Sequence, residues 1–324
     1  MKPVANLSLD LDNKWAYLRS AGNQDWAQSR GYFDITIPRI VDMLGSLDLP
    51  LTIFVVGRDL ENAEDVDAIN GFKSLREHEF ANHSYNHLPW LHTMSAEEIE
   101  QEIDRTTALI ESKLGQPVFG FRGPGFSCPE DVLRVLSLRG FRYDASTFPT
   151  SIAPIARMAF MMRANLDEEQ RKRASQLYGG WKSAFKPNKP YQRPINDSQL
   201  WELPVTVMPF TRTPIHFSYF MFLAGFSKSL AKAYFGTAIR LCQLTATSPS
   251  LLLHPPDFLG SEDDAEMAFF PGMKLKRAEK LALMEWALRR LATCFDVKRM
   301  VDHVTMLDGA NEQMPCRLRE TGTV

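Results

Sequence analysis

The sequence contains no pair of cysteines at CxxC spacing, and its four cysteines, Cys128, Cys242, Cys294 and Cys316, lie far apart. That excludes a compact zinc ribbon and argues against a disulfide framework. The four read as reduced, mostly packed thiols of a cytosolic protein. Charge of one sign is also missing: 37 Lys and Arg against 39 Asp and Glu leave a formal net charge of -2. The chain as a whole therefore has no electrostatic reason to seek nucleic acid. No uncharged run is long enough to cross a bilayer, and the nearest approach, Ile215 to Phe226, is too short. The opening Met1-Lys2-Pro3-Val4 runs directly into Ala5 to Leu9 and Asp10, without the apolar core and small-residue cleavage site of a secretory signal. No internal repeat or low-complexity linker divides the chain. The expectation is a cytoplasmic protein, with peripheral membrane contact left open.

What is present is ordinary globular material: 324 residues, 44% hydrophobic and 23% charged, enough for one large α/β domain or two small ones. Strand-like and helix-like segments alternate, as in βα units around a parallel sheet or barrel. Strands are predicted at Val4 to Leu11, at the β-branched run Leu51 to Val56, at the end of the segment Phe80 to His83, at Pro117 to Phe121 and at Gly140 to Asp144. Trp201 to Val207 and Ser250 to His254 read as the last two. Helical spacing puts Ile35, Ile37, Ile40, Val41 and Leu44 on one side of Phe33 to Leu47, and Asp65 to Leu75 reads as a short helix. Ser95-Ala96-Glu97-Glu98 matches a capping box, so a helix should run to about Leu114 and stop at Gly115. Pro129 to Leu138 and Leu275 to Leu291 are further helices. Residues 150 to 200 break this rhythm. Their Arg171-Lys172-Arg173, Lys182, Lys186, Lys189 and Arg193, mixed with Trp181, Phe185 and Tyr191, fit either a solvated insertion or a lid over a substrate groove. The organisation expected is one catalytic domain over 1–300 with an insertion at about 150–200, followed by a tail, 301–324.

Four short elements carry chemistry, each where a loop should follow a strand. In Ser8-Leu9-Asp10-Leu11-Asp12, residues two apart share a strand face, so Asp10 and Asp12 point the same way. Two carboxylates so placed repel unless a cation separates their roles, one binding metal while the other serves as a base. In His83-Ser84-Tyr85-Asn86-His87, two histidines four apart lie one helical turn from each other and can converge on one ion. Asp plus two His leaves open positions for water and substrate, as catalytic zinc requires. Arg122, opening the glycine- and proline-defined turn Arg122-Gly123-Pro124-Gly125-Phe126-Ser127, can clamp a carboxylate. Finally, the buried run Leu251-Leu252-Leu253 ends in His254, whose following Pro255-Pro256 stiffen the loop and suit a fixed general acid; a histidine merely capping the strand end is the plainer alternative.

Together and in this order, these elements resemble the polysaccharide deacetylase family of carbohydrate esterases, over residues 4 to 150 and 200 to 258. Leu51 to Gly57 and Tyr143-Asp144-Ala145-Ser146-Thr147-Phe148-Pro149 add to the likeness, which is nearest the subgroup of bacterial exopolysaccharide gene clusters. The resemblance implies a distorted (β/α) barrel. It puts the metal on Asp12, His83 and His87, the catalytic base on Asp10, the arginine that orients it on Arg122 and the general acid on His254. A supporting role falls on Asp144, although this motif lacks the family's Asp-Trp ending. Two further departures are Leu11 between the aspartates and Arg-Gly-Pro-Gly-Phe in place of the family's Arg-X-Pro-aromatic-Gly. The implied metal is zinc, with cobalt, nickel or iron as substitutes. The implied substrate is an N-acetyl or N-formyl amino sugar in an intracellular glycan or glycolipid precursor, which includes lipid-linked forms. Two rivals share the fold: a ureide hydrolase like allantoinase, whose members often lack a metal, and a non-catalytic sugar- or lipid-binding protein. The apolar stretch Ile215 to Leu223 is either core or a surface that rests on a membrane.

Overall fold

A computed structural model describes residues 2–152, 184–195 and 198–312. Among them, nine strands form one mixed sheet in the order β6-β7-β5-β4-β3-β2-β1-β8, with β9 also on β1. The strands are β1 (Val4–Leu11), β2 (Leu51–Val55), β3 (His78–Asn82), β4 (Gly120–Phe121), β5 (Tyr143–Asp144), β6 (Tyr191–Ile195), β7 (Ser198–Glu202), β8 (Ser250–Leu253) and β9 (Asp296–Lys298). All pairings are parallel except β6 with β7. The sheet curls into a half-barrel flanked by helices. Past β7 the chain stays extended: Val205 N–H donates to the Thr147 carbonyl at 2.8 Å and Thr206 N–H to the Ser250 carbonyl at 2.9 Å, which brings the β7 side round to β8.

Strand alternation explains what lines each side. Leu7, Leu9 and Leu11 of β1, with Leu51, Ile53 and Val55 of β2, face outward into the main apolar core under the helices. The intervening Asn6, Ser8, Asp10 and Asp12 are just as buried, but they face the polar interior of the curl. Packing of that kind lets one strand supply both core and site.

The helices are α1 (Lys14–Ser20), α2 (Phe33–Ser46), α3 (Ala63–Asn70), α4 (Ala96–Leu109), α5 (Glu130–Leu138), α6 (Phe217–Ala224), α7 (Lys228–Leu244), α8 (Arg277–Cys294) and α9 (Met300–Glu312). Helix α4 begins with the predicted reciprocal box, Ser95 Oγ accepting from Glu98 N–H while the Glu98 carboxylate accepts from Ser95 N–H. The turn that follows it ends at Gly115 with φ of 70°. The expected helix at 65–75 starts earlier, because Asn62 caps Glu64 and Asp65, and a tighter turn takes over at Gly71–Ser74. The stretch Ile215 to Leu223 becomes α6. Phe217, Phe220 and Met221 are buried, each side chain contributing about 1.5–3 kcal/mol of apolar transfer, while Phe222 and Phe226 remain exposed.

The segment set apart as a tail differs from expectation over its first part. Helix α9 buries Met300 and Val304 against Phe54, Ala81, Tyr143 and Trp201, and so fills the interior of the curled sheet. Polar contacts hold it there: His303 Nδ1 lies 2.7 Å from Asn6 Oδ1, and Trp201 Nε1 donates to Asp308 at 2.7 Å. Its sequence showed no strong apolar stripe because few of its residues meet the core: Met300 and Val304 are buried there, and Val301 and Leu307 pack against the same cluster. Of the insertion, Arg171, Lys172, Arg173, Trp181 and Lys182 lie outside the described residues. Among the described residues, no helix is long and apolar enough to cross a membrane.

Candidate metal centre and active site

The strand ends deliver the predicted residues to one end of the half-barrel. Asp12 Oδ1 lies 2.9 Å from His87 Nε2 and 3.4 Å from His83 Nε2. The three ligand atoms all fall within 4.8 Å of one another, and all three residues are buried. His83 Nδ1 sits 2.6 Å from the Arg122 carbonyl oxygen. A carbonyl can only accept, so Nδ1 carries the proton and Nε2 turns its lone pair inward. Asp12 Oδ1 is fully buried yet receives no hydrogen bond from the protein. Three donor atoms, Asp12 Oδ1 and the Nε2 atoms of His83 and His87, thus converge on one buried point, the arrangement that a cation satisfies. Bonds of about 2.0–2.2 Å to oxygen and nitrogen would set ligand atoms roughly 3.3–3.6 Å apart, near the contacts present. The residues fit a divalent metal.

The histidines do not converge through a helical turn. Residues 83–87 form a tight loop in which Ser84 and His87 take positive φ, 60° and 51°. The loop is tied down from α4: the Glu102 carboxylate accepts from the backbone N–H groups of Tyr85 at 2.9 Å and Asn86 at 2.8 Å, and from Asn86 Nδ2 at 2.6 Å. Glu102 escaped the sequence reading. The available signal was an acidic residue on the buried face of an amphipathic helix, between Ile99 and Thr106.

Arg122 follows β4 yet reaches across the interior to β1. Its Nη1 donates to Asp10 Oδ1 at 2.6 Å and to Ser8 Oγ at 3.0 Å, its Nε donates to the Ala145 carbonyl at 2.9 Å, and it stacks over Phe54 at 4.1 Å. The guanidinium is wholly buried. Asp10 Oδ2, left free of Arg122, points towards His83 Nε2 at 3.9 Å. The β1–β8 register pairs Leu9 with Leu253, so Asp10 and His254 follow at adjacent strand ends. His254 Nδ1 lies 3.0 Å from Ser218 Oγ, and that hydroxyl donates to Asp257 Oδ2 at 3.2 Å. A hydroxyl that donates to the carboxylate accepts from the imidazole, so His254 Nδ1 carries a proton and the Asp257–Ser218 pair orients the ring. Burial raises the Asp257 carboxyl, against the pull of His254 and Lys280. His216, ring to ring with His254 at 6.4 Å, is pushed down to about 3 by burial and stays neutral. Ser218, in the first turn of α6, was hidden in the apolar stretch Ile215 to Leu223 and carried no sequence signal.

Asp144 is placed differently. Its carboxylate accepts from the Ser146 hydroxyl and N–H, and Ser146 Oγ accepts from Gly123 N–H at 2.8 Å. It therefore holds the loop after Arg122 from behind. Burial raises the neighbouring Glu202 to about 8, with Asp144 adding to the effect and Arg193 opposing it.

Residues 30–143 match the family model described as polysaccharide deacetylase. That span carries His83, His87 and Arg122, and ends before His254. A Mycobacterium smegmatis structure provisionally named a polysaccharide deacetylase superposes with a TM-score of 0.59 at 19% identity, covering 97% of this chain and 93% of its own. A Pseudomonas aeruginosa structure, also provisionally named a polysaccharide deacetylase, gives 0.56 at 15% identity, covering 93% and 89%. The Puue allantoinase gives 0.54 at 16% identity, again covering 93% and 89%. No curated protein sequence matches significantly. The chain thus carries the polysaccharide deacetylase sequence pattern over residues 30–143 and shares the fold of these structures over nearly its whole length.

Proposed function

We propose that the protein is a metal-dependent hydrolase of the N-acyl amide of an amino sugar. The observation that carries this reading is the convergence of Asp12, His83 and His87 beside a second carboxylate, Asp10, that is clamped by a buried arginine. Asp12, His83 and His87 hold the metal, which when bound supplies Lewis acidity to the amide carbonyl and to water. Asp10 takes the proton of the attacking water. Arg122 holds Asp10 in its aimed position through the 2.6 Å contact. His254 gives a proton to the departing nitrogen, and Ser218 with Asp257 steadies the imidazolium before transfer. Asp144 and Ser146 act through the loop and do not touch substrate.

The donor set accepts zinc first, and cobalt, nickel or iron as well. An intracellular precursor as substrate, a cytoplasmic location and membership of the exopolysaccharide subgroup all belong to this proposal. Lipid linkage and peripheral membrane contact are supported by the exposed Phe222 and Phe226 at the end of α6. The test is release of acetate or formate from N-acetyl and N-formyl amino sugars by zinc-loaded protein, with Asp10→Asn as control. Acid released by the wild type alone supports the reading. Silence on every amino sugar, together with turnover of allantoin, would transfer the site to ureide hydrolysis. Stoichiometric metal without turnover of either would leave a binding protein.

A further inference from the structure

Beside the metal centre lies a group of side chains that the mechanism does not use. Trp15 in α1 and Trp26 just after it have ring centroids 5.8 Å apart. Two guanidinium groups lie against these same indoles. Arg19 is 4.9 Å from the Trp15 centroid and 5.5 Å from that of Trp26, and Arg58, following β2, is 5.1 and 4.9 Å from them. Both arginines also touch the loop that carries His83 and His87. Arg19 Nη2 donates to the Asn86 and His87 carbonyls at 2.7 Å each, and Arg58 N–H donates to the Tyr85 carbonyl at 3.1 Å.

Like charges brought together need a reason. Burial and the nearby Arg58 lower Arg19 to about 10, still well above neutrality. The acids around them are committed elsewhere. Glu102 is occupied by Tyr85 and Asn86, Asp59 accepts from Trp15 Nε1 and Asn13 Nδ2, and Glu61 pairs with Arg105. Among the described residues, no guanidinium nitrogen of Arg58 has a hydrogen-bonding partner, nor do Nε and Nη1 of Arg19. The indoles meanwhile hold the two forks in place and shield them from water, which strengthens any anion contact. Two half-buried forks with free donors match the several oxygens of a phosphoryl group better than the two of a carboxylate.

We infer that Arg58 and Arg19, backed by Trp15 and Trp26, form a subsite for a phosphoryl group carried by the amino-sugar substrate. This inference rests on the proposed deacetylase for the sugar, and it narrows the substrate to phosphorylated forms. Sugar phosphates, nucleoside-diphosphate sugars and prenyl-phosphate sugars share that chemistry.

The experiment measures binding by titration calorimetry to zinc-loaded wild-type, Arg58→Gln and Arg58→Lys protein. The ligands are N-acetylglucosamine, its 1-phosphate, and its uridine-diphosphate and short prenyl-phosphate derivatives. Wild-type protein is expected to prefer the 1-phosphate over the neutral sugar by at least about tenfold, as a charge-assisted contact of roughly 1.5 kcal/mol requires. The preference falls towards unity in Arg58→Gln and survives in part in Arg58→Lys. Because the ratio is taken within each variant, general loss of folding cannot mimic this result. Tighter binding of the nucleotide-linked or prenyl-linked form supports the subsite and identifies the source of its phosphate. Equal affinity for charged and neutral sugars in the wild type overturns the inference, and so does a preference undiminished in Arg58→Gln, which would place the phosphoryl group on the metal. Acid release is scored separately. An Arg58-dependent preference without any release would remove the deacetylase reading and leave the subsite standing.

Discussion

Replacing Arg122 with methionine removes a wholly buried charge while keeping most of the side-chain length. Asp10 loses a 2.6 Å ionic contact, Ser8 loses a 3.0 Å contact, and the Ala145 carbonyl loses its Nε donor at 2.9 Å. The carboxylate of Asp10 is then left buried and uncompensated, with Asp12 two residues away on the same face. Breaking a buried pair by deleting one partner costs about 3–5 kcal/mol. At roughly 2 °C per kcal/mol for a chain of this size, the melting temperature should fall by about 6–10 °C. Asp10→Asn removes the stranded charge, so the double variant should recover part of the loss and show a coupling of about 2–3 kcal/mol. Differential scanning fluorimetry on the two single variants and the double variant, all in chelator so that metal linkage does not enter, completes the cycle. Additivity within about 0.5 kcal/mol would refute the claim that Arg122 serves Asp10 across the barrel.

Other perturbations separate the remaining roles. His83→Ala should lose stoichiometric metal, measured by elemental analysis of dialysed protein, whereas Asp10→Asn should retain it and lose turnover. Zinc at about 100 times its dissociation constant should stabilise the wild type by about 2.7 kcal/mol and His83→Ala by far less. Ser218→Ala should lower kcat by about tenfold or more with little change in KM, because it loosens His254 without touching the metal ligands; an unchanged kcat would exclude the Asp257–Ser218 relay. Burial raises the Asp59 carboxyl to about 8. The folded state thus holds that proton more tightly than the unfolded chain does. The stabilisation is full below about pH 4, near the ordinary aspartate value, and is lost as pH rises through about 8. Asp59→Asn should flatten this fall in a series of melts from pH 5 to 9, and an unchanged slope would show that Asp59 is ionised in the fold.

Much of this could be read from local pattern. The strand Val4–Leu11 was legible as an apolar run, and the two-residue period of a strand put Asp10 and Asp12 on one face before any partner was known. The box at Ser95 and Glu98 and the stop at Gly115 are local hydrogen-bond and φ requirements, and they predicted α4 and its end. The histidine pair was legible as a possible chelate, but not its geometry. A loop with positive φ at Ser84 and His87, pinned by Glu102, performs what a helical turn was expected to do.

What the sequence determined by itself was the chemistry available and the strand ends that carry it, because alternation and capping act between residues a few positions apart. Only the tertiary structure decided which of those groups meet. Arg122 reaches Asp10 because the sheet curls, Ser218 supports His254 because α6 packs beside β8, and Asp144 turns to the Arg122 loop because Ser146 stands between them. Helix α9 entered the interior for the same reason. Its contacts on Asn6, Thr52 and Glu79 are more than 200 residues away in sequence, and no local pattern encodes a partner at that distance.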